Sequence, residues 1–382
     1  MVLFPIIFFA CYFIILCLFI VGWNRAVRND LSLETEKTKL FISVVIPVRN
    51  EGHTIKCLLT DLEKQDHADF EVIVVDDHSE DNTTDLVGDV IIKDPRFRII
   101  HSAGEGKKTA LTLGIQAAKG AVIITTDADC RVSVQWISAL SRFFREEDVK
   151  MVFGCVRMKG NSMFSSAQSL EFASLIGSGM AMASWKYPVM CNGANLAFRK
   201  SVFEEVGGYK GNLHIPSGDD EFLMRKILAV YPNGIKPVLN TQSVVTTLPN
   251  NTLKEFFQQR IRWAGKWTAN NSRLSRTLAS FVFCFHLTTI LLPLLVTLGG
   301  IDIQTFIILI LTKASLEFLF LKRVTKFLSL RWDWVAFVLL QIIYPLYVVF
   351  IGVLSNFNPF EWKGRKLKSF TVSNKLNKEL LG

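Results

Sequence analysis

The chain is poor in charge and in the residue patterns that hold metals through sulfur or imidazole. Of 382 residues, 20% are Asp, Glu, Lys or Arg and 50% are apolar, with 30 phenylalanines, which argues against both a disordered chain and a wholly soluble one. Seven cysteines, at 11, 17, 57, 130, 155, 191 and 284, are odd in number, form no CxxC pair and make no Cys/His cluster at zinc spacing. Neither a disulfide framework nor a structural metal site is supported, and the thiols read as packed or lipid-facing in a reducing compartment. His101, His214 and His286 are scattered, as ordinary structural histidines are. Glycine-rich dinucleotide and P-loop fingerprints are missing. Gly104-Glu105-Gly106 is too short and wrongly placed, which disfavours a nicotinamide oxidoreductase. No internal repeat or low-complexity tract is evident. The net charge of +9 suits a membrane protein with its Lys/Arg excess beside the spans, so no nucleic-acid partner is expected.

What the chain does have begins with apolar ends. Val2 to Trp23 carries no charge and is long enough to span a bilayer, and Arg25 and Arg28 follow directly. The start lacks the positive charge and small-residue cleavage site of a signal peptide, which points to an uncleaved anchor. The basic flank predicts an outside N-terminus with the following residues in the cytoplasm. Three later stretches, about Leu278 to Leu298, Ile303 to Leu321 and Trp334 to Leu354, read as two or three further spans. The middle one carries Lys313 and Glu317 at i,i+4. That spacing fits an ion pair facing the bundle, a functional intramembrane pair, or a segment lying along the interface, and the cost of intramembrane charge favours the first.

Between about Leu40 and Arg276 the pattern changes. Phe41–Pro47, Phe70–Val75 and Ala121–Thr126 are short β-branched runs that stop at polar clusters, as buried parallel strands do. Thr54–Lys64 and Lys107–Lys119 have helical spacing. This order predicts an open, mostly parallel α/β sheet with ligands beyond the carboxyl ends of its strands. At those ends stand Arg49-Asn50-Glu51, Asp76-Asp77-His78-Ser79 and Asp127-Ala128-Asp129. Two pairs of carboxylates would repel an anionic ligand unless Mg²⁺ or Mn²⁺ bridges them to it, although acids after strands also serve as turn and cap residues.

Seven motifs then occur in order: Ser43-Val44-Val45-Ile46-Pro47-Val48-Arg49-Asn50-Glu51, Val75-Asp76-Asp77-His78-Ser79, Gly106-Lys107-Lys108-Thr109-Ala110-Leu111, Asp127-Ala128-Asp129, Gly193-Ala194-Asn195, Gly218-Asp219-Asp220-Glu221 and Gln259-Arg260-Ile261-Arg262-Trp263. Together they resemble membrane-bound family 2 glycosyltransferases, the group of cellulose, hyaluronan and poly-N-acetylglucosamine synthases and ceramide glucosyltransferases. The likeness covers about residues 40 to 267, with a weaker echo in Glu361-Trp362-Lys363-Gly364-Arg365.

The resemblance implies a GT-A nucleotide-sugar-binding domain and transmembrane helices at both ends. It implies donor binding by Pro47, Asn50, Glu51, Asp76, Asp77 and Lys107, with Asp127 and Asp129 as the DxD acids that bind ribose and the metal on the diphosphate. Asp220 would be the general base, with Asp219 as the alternative. Gly193 and Asn195 would lie in the acceptor region. Gln259, Arg262 and Trp263 match QxxRW, which binds diphosphate and lines the acceptor site; the guanidinium suits phosphate and the indole suits a sugar ring. The same segment reads independently as an amphipathic interfacial helix, with Leu253, Phe256, Phe257, Ile261, Ala264 and Trp267 on one face and Lys254, Arg260, Arg262, Lys266 and Arg273 supplying charge.

The expected layout is an anchor at 1–24, a cytoplasmic glycosyltransferase domain at 40–249, an interfacial helix at 250–276, spans within 277–356 and a basic tail at 357–382. The expected activity is inverting transfer from a UDP-sugar to a lipid-linked or membrane-associated glycan acceptor at a multi-pass membrane site, the inner membrane in a bacterium. A processive synthase and a non-catalytic sugar-nucleotide-binding subunit are the alternatives. A homo-oligomer or a polysaccharide assembly complex is the expected setting.

Overall fold

The computed structural model describes residues 3–31, 39–213, 215, 217–265, 272–355, 360–362 and 365–367; His214, Lys266, Trp267 and most of the basic tail lie outside them. The chain divides into two compact units, Gly22–Lys159 with Ser178–Leu248, and Met1–Val21 with Gly160–Gly177 and Pro249–Gly382.

In chain order the elements are α1 (Leu3–Leu31), β1 (Ile42–Val48), α2 (Ile55–Glu63), β2 (Phe70–Asp76), α3 (Thr83–Ile91), β3 (Phe97–His101), α4 (Lys107–Ala117), β4 (Val122–Thr125), α5 (Trp136–Ser141), β5 (Met151–Gly154) and β6 (Val156–Met158). Then follow α6 (Met163–Ser184), β7 (Leu196–Arg199), α7 (Lys200–Glu205), α8 (Asp219–Val230), β8 (Ile235–Val238), β9 (Val245–Thr247), α9 (Leu253–Gly265), α10 (Arg273–Thr297), α11 (Ile303–Phe327), α12 (Trp334–Leu354), β10 (Phe360–Trp362) and β11 (Arg365–Leu367).

The first unit is built on a seven-stranded sheet in the order β3-β2-β1-β4-β7-β5-β8. β3, β2, β1 and β4 run parallel, β7 is antiparallel to both neighbours, and β5 and β8 are parallel. The sheet is mostly parallel, as the sequence predicts. β1 buries Ile42, Val44, Val45, Ile46 and Val48, and β2 is buried throughout. Each such side chain gains about 1.5–3 kcal/mol on burial, so a strand apolar on both faces has its place inside a two-sided layer. The polar residues that end β1, β2 and β4 therefore emerge together at one edge.

At the opposite end of β1 and β2 a buried carboxylate ties three elements. Glu71 accepts hydrogen bonds from Ser43 Oγ at 2.7 Å and the Lys119 backbone N–H at 2.6 Å, and Arg98 Nε donates to it at 3.2 Å. Burial alone would raise its pKa, but these donors outweigh burial and hold it below the usual carboxylate range. The folded state therefore binds this proton more weakly than the unfolded chain. The stabilisation is fully present above the unfolded value of about 4.3 and is lost as pH falls through the lower folded value. Glu71→Gln is expected to flatten that acid limb, measured by unfolding between about pH 5 and 3.

In the second unit, the described residues include four helical segments long and apolar enough to cross a membrane: Leu3–Asp30, Arg273–Thr297, Ile303–Phe327 and Trp334–Leu354; the first continues into the other unit. Tyr12 stacks against Phe285 at 3.8 Å between ring centroids, and Phe9 packs on the same ring in a tilted pair at 4.9 Å. α11 is a continuous helix whose charged pair faces the bundle. Lys313 Nζ donates to Glu317 at 2.9 Å and to Gln341 Oε1 at 2.9 Å, while Glu317 also accepts from Gln341 Nε2 at 2.8 Å and Tyr12 Oη at 2.6 Å. The cluster is neutral overall and joins α1, α11 and α12, the arrangement that makes intramembrane charge tolerable.

Candidate active site

The loops after β1 and β2 lock one another. Asn50, at φ 52°, accepts the Glu80 N–H at 2.8 Å and donates its own N–H to Ser79 Oγ at 3.0 Å. Arg49 donates to the carbonyls of Asp77 and His78 at 2.8 and 2.9 Å. Glu51 accepts from Thr54 Oγ1 at 2.8 Å just before α2, and Pro47 sits in β1 opposite Val75. Asp76 accepts the Ser79 N–H at 3.2 Å and lies 3.3 Å from His101 Nδ1. Asp77 accepts the Gly106 N–H on both oxygens at 3.1 Å. The end of β2 thus fixes where α4 begins.

The first residue of α4 reaches across to the other acids. Lys107 Nζ is 2.7 Å from Asp127 and 3.2 Å from Asp219, joining the end of β4 to the start of α8. Burial alone would lower the Lys107 pKa; the facing carboxylates, Asp127 first, outweigh it and raise the value. Asp220 accepts the Gly193 N–H at 3.1 Å and the Glu221 N–H at 2.7 Å, and the Gly193 carbonyl accepts from Thr125 Oγ1 at 2.8 Å. A Cβ on Gly193 would lie 2.9 Å from Asp219 Oδ2, so the close approach calls for glycine. Gly218, at φ 80°, supplies the left-handed turn into α8. Asp129 accepts from Thr247 Oγ1 at 3.2 Å.

Lys107, Asp127, Asp219, Asp220 and Gly193 are therefore in one place, with Asp129 two residues beyond Asp127. Asp76 and Asp77 reach α4 through Gly106. Asn195 stands under the site rather than at a ligand surface. Its side chain is wholly buried, donates to the carbonyls of Cys155 and Ser243 at 2.8 and 2.7 Å and accepts from Trp136 Nε1 at 3.0 Å. The sequence reading missed Tyr209, a buried phenol whose pKa is raised by burial and then by Asp219. It also missed Thr125 and Thr247, which carry no recognisable spacing. Burial, then Asp129 and Asp127, likewise raises the Cys130 thiol, so it stays protonated beside the acids.

The donor set suits a hard divalent cation. Asp127 and Asp129 offer carboxylate oxygen, and the Asp127 side chain is 39% exposed. Among the described residues no three His, Cys, Asp or Glu side chains form a ready cage, so a cation here would draw further oxygen ligands from a bound diphosphate or water.

Gln259, Arg262 and Trp263 lie half-buried on α9 in the other unit, and Gln259 and Trp263 adjoin a buried ion pair. Gln259 Oε1 accepts from Asn250 Nδ2 at 2.9 Å and from Arg260 Nη1. Arg260 pairs with Glu171 of α6 through Nε at 3.1 Å and Nη2 at 2.5 Å, and its guanidinium lies 4.4 Å from the Trp263 ring centroid. The amphipathic reading of this helix needs correcting here. Arg260, counted with the exposed charge, is buried because a buried acid faces it.

Residues 43–207 match the family model described as Glycosyl transferase family 2. They are a family 2 glycosyl transferase domain. Relatives of this domain include glycosyltransferase GlyG of Streptococcus pneumoniae, 33% identical over 30% of this chain and 38% of that protein. The probable glycosyltransferase YdaM of Bacillus subtilis is 27% identical over 58% of this chain and 54% of that one. A poly-beta-1,6-N-acetyl-D-glucosamine synthase of Staphylococcus epidermidis is 25% identical over 58% and 53%. The chain spans between 38% and 54% of the length of these relatives. Among solved structures, the mannosyltransferase PcManGT of Pyrobaculum calidifontis, in complex with GDP-Man and Mn²⁺, aligns over 90% of this chain and 98% of its own with a TM-score of 0.57 at 18% identity. That likeness establishes the GT-A fold for this chain. The family match ends before Asp219 and α9.

Proposed function

We propose that the chain is a membrane-integral inverting glycosyltransferase that moves a sugar from a nucleotide-sugar donor, a UDP-sugar by preference, to a lipid-linked or membrane-associated glycan acceptor. The observation that carries this reading is the convergence of Asp127, Lys107, Asp219 and Asp220 at the carboxyl edge of a family 2 domain. In it, Asp76 and Asp77 accept hydrogen bonds from base or ribose, with Pro47, Asn50 and Glu51 shaping the same rim. Asp127 and Asp129 would hold Mg²⁺ or Mn²⁺ on the donor diphosphate, where the cation offsets charge building on the departing nucleotide.

The acceptor oxygen attacks the anomeric carbon, the bond to the nucleoside diphosphate breaks, and Asp220 takes the hydroxyl proton. Asp220 suits the base role better than Asp219. Asp219 is engaged by the Lys107 ammonium at 3.2 Å, whereas Asp220 accepts backbone N–H groups that fix its orientation. Gln259, Arg262 and Trp263 serve diphosphate and acceptor, with Gly193 beside the acceptor hydroxyl. The proposed layout keeps the glycosyltransferase domain at 40–249 in the cytoplasm, behind an anchor at 1–24 and ahead of the interfacial helix and later spans.

Similarity to a polysaccharide synthase over 58% of the chain favours processive addition as the second reading. The test is transfer by detergent-purified full chain from a panel of nucleotide sugars, with Mg²⁺ or Mn²⁺ and lipid extract. Single-sugar products support the first reading, and a ladder of masses supports the second. Binding of a nucleotide sugar without turnover across the acceptor range would instead indicate a non-catalytic subunit of a polysaccharide assembly complex.

A further inference from the structure

The two acids at the head of α8 follow a segment rich in backbone conformations that hold no shape of their own. Gly207, Gly208, Gly211 and Gly218 all have φ between 47° and 84°. Such a stretch needs outside contacts to hold the acids still, and it has two lysine tethers. Lys226 of α8 donates to the carbonyls of Gly208 and Lys210, both at 2.7 Å. Lys108 of α4, only 4% exposed, donates to the carbonyls of Asn212 at 2.8 Å and Ile215 at 2.9 Å. Its ammonium also lies 4.9 Å from the centroid of Phe222, one turn into α8.

A buried ammonium costs a great deal of hydration, so one aimed at two loop carbonyls and an aromatic face fastens that loop strongly. Its neighbour Lys107 is the bridge between Asp127 and Asp219. Consecutive lysines at the start of one helix thus act near the same acids: Lys107 touches Asp219, and Lys108 holds the backbone at Asn212 and Ile215.

Resting on the proposed transfer reaction, we propose that Lys108 is a positioning residue that clamps the backbone at Asn212 and Ile215 so that Asp219 and Asp220 meet the acceptor hydroxyl. Donor binding, which runs through Asp76, Asp77, Asp127 and Asp129, does not depend on the clamp. Catalysis falls steeply when a reacting group is displaced by about 1 Å, so releasing the loop acts on turnover.

The test compares the full-length wild type with Lys108→Met and Lys226→Met in detergent. The expected result for Lys108→Met is a kcat lowered about 10- to 100-fold, with donor KM and affinity for the released nucleoside diphosphate plus Mn²⁺ kept within about threefold. Amide hydrogen exchange across 209–213 is expected to accelerate while exchange in β1 and β2 stays as in the wild type. Lys226→Met, which frees the other end of the loop without removing the buried cation, is expected to change both readouts in the same direction. An unchanged kcat, a loss of nucleotide affinity as large as the loss of kcat, or unchanged exchange at 209–213 would overturn the proposal. If Lys108→Met does not fold, Lys226→Met and its exchange pattern decide the matter. A wild type that transfers no sugar sinks the proposed function, and loop exchange that does not respond to either variant sinks the clamp.

Discussion

Asp220→Asn is expected to lower sugar transfer about 10²- to 10⁴-fold, the usual contribution of a positioned general base, while nucleotide affinity stays close to that of the wild type. The amide retains the shape of the carboxylate, and one oxygen can still accept the Gly193 or Glu221 N–H, so the turn into α8 survives. What it lacks is an atom able to take the acceptor proton. Asp219→Asn makes the contrast. It removes a carboxylate from beside Lys107 but leaves Asp127 as the partner at 2.7 Å, so its effect on transfer is expected to be smaller. Steady-state kinetics on the two variants, each with nucleotide titration, check this. Equal losses in both, or a larger loss in Asp219→Asn, would move the base to Asp219.

Glu171→Ala is expected to cost about 3–5 kcal/mol of stability, because it strands the buried Arg260 guanidinium without its counter-charge. Glu171 and Arg260 are 5% and 3% exposed, and the pair is bidentate. The same guanidinium is stacked between Phe256 and Trp263, at 4.7 and 4.4 Å from their ring centroids, so the loss also loosens the face of Trp263. Replacing both partners, as in Glu171→Leu with Arg260→Met, removes both charges and is expected to recover much of the stability. Denaturation of the purified single and double variants measures this. A single variant as stable as the wild type would show that Arg260 finds other compensation.

The central strands were legible because a strand buried on both faces is written as a run of β-branched residues that stops where water begins. Phe70–Val75 and Ala121–Thr126 differ by only a residue or so at each end from β2 and β4. The acids could be placed for the same reason, since Asp76, Asp77, Asp127 and Asp129 are the first polar residues past those stops. β7 and β8 were not legible: at four residues each they are too short to show a period, and β7 pairs antiparallel inside an otherwise parallel neighbourhood.

Side-chain fates set by distant partners were hidden as well. Arg260 looked like surface charge because its acid lies 89 residues away, on α6. Asn195 looked like a ligand contact because its three partners, two of them backbone carbonyls, leave no mark in the sequence. Lys108 was passed over beside Lys107 for the same reason. The pairing of Lys313 with Glu317 was readable from its i,i+4 spacing, but the contributions of Gln341 and Tyr12 came only from the packing of α12 and α1.

The measurement that tests the account most directly is nucleotide-sugar turnover by the purified full chain, before and after divalent cations are chelated and then restored as Mn²⁺ or Mg²⁺, with Asp129→Asn run alongside. The account predicts sugar transfer that disappears on chelation, returns with the metal, and is largely lost in Asp129→Asn. Transfer that persists undiminished in chelator, or in Asp129→Asn, would contradict the assignment of Asp127 and Asp129 to a metal-held diphosphate.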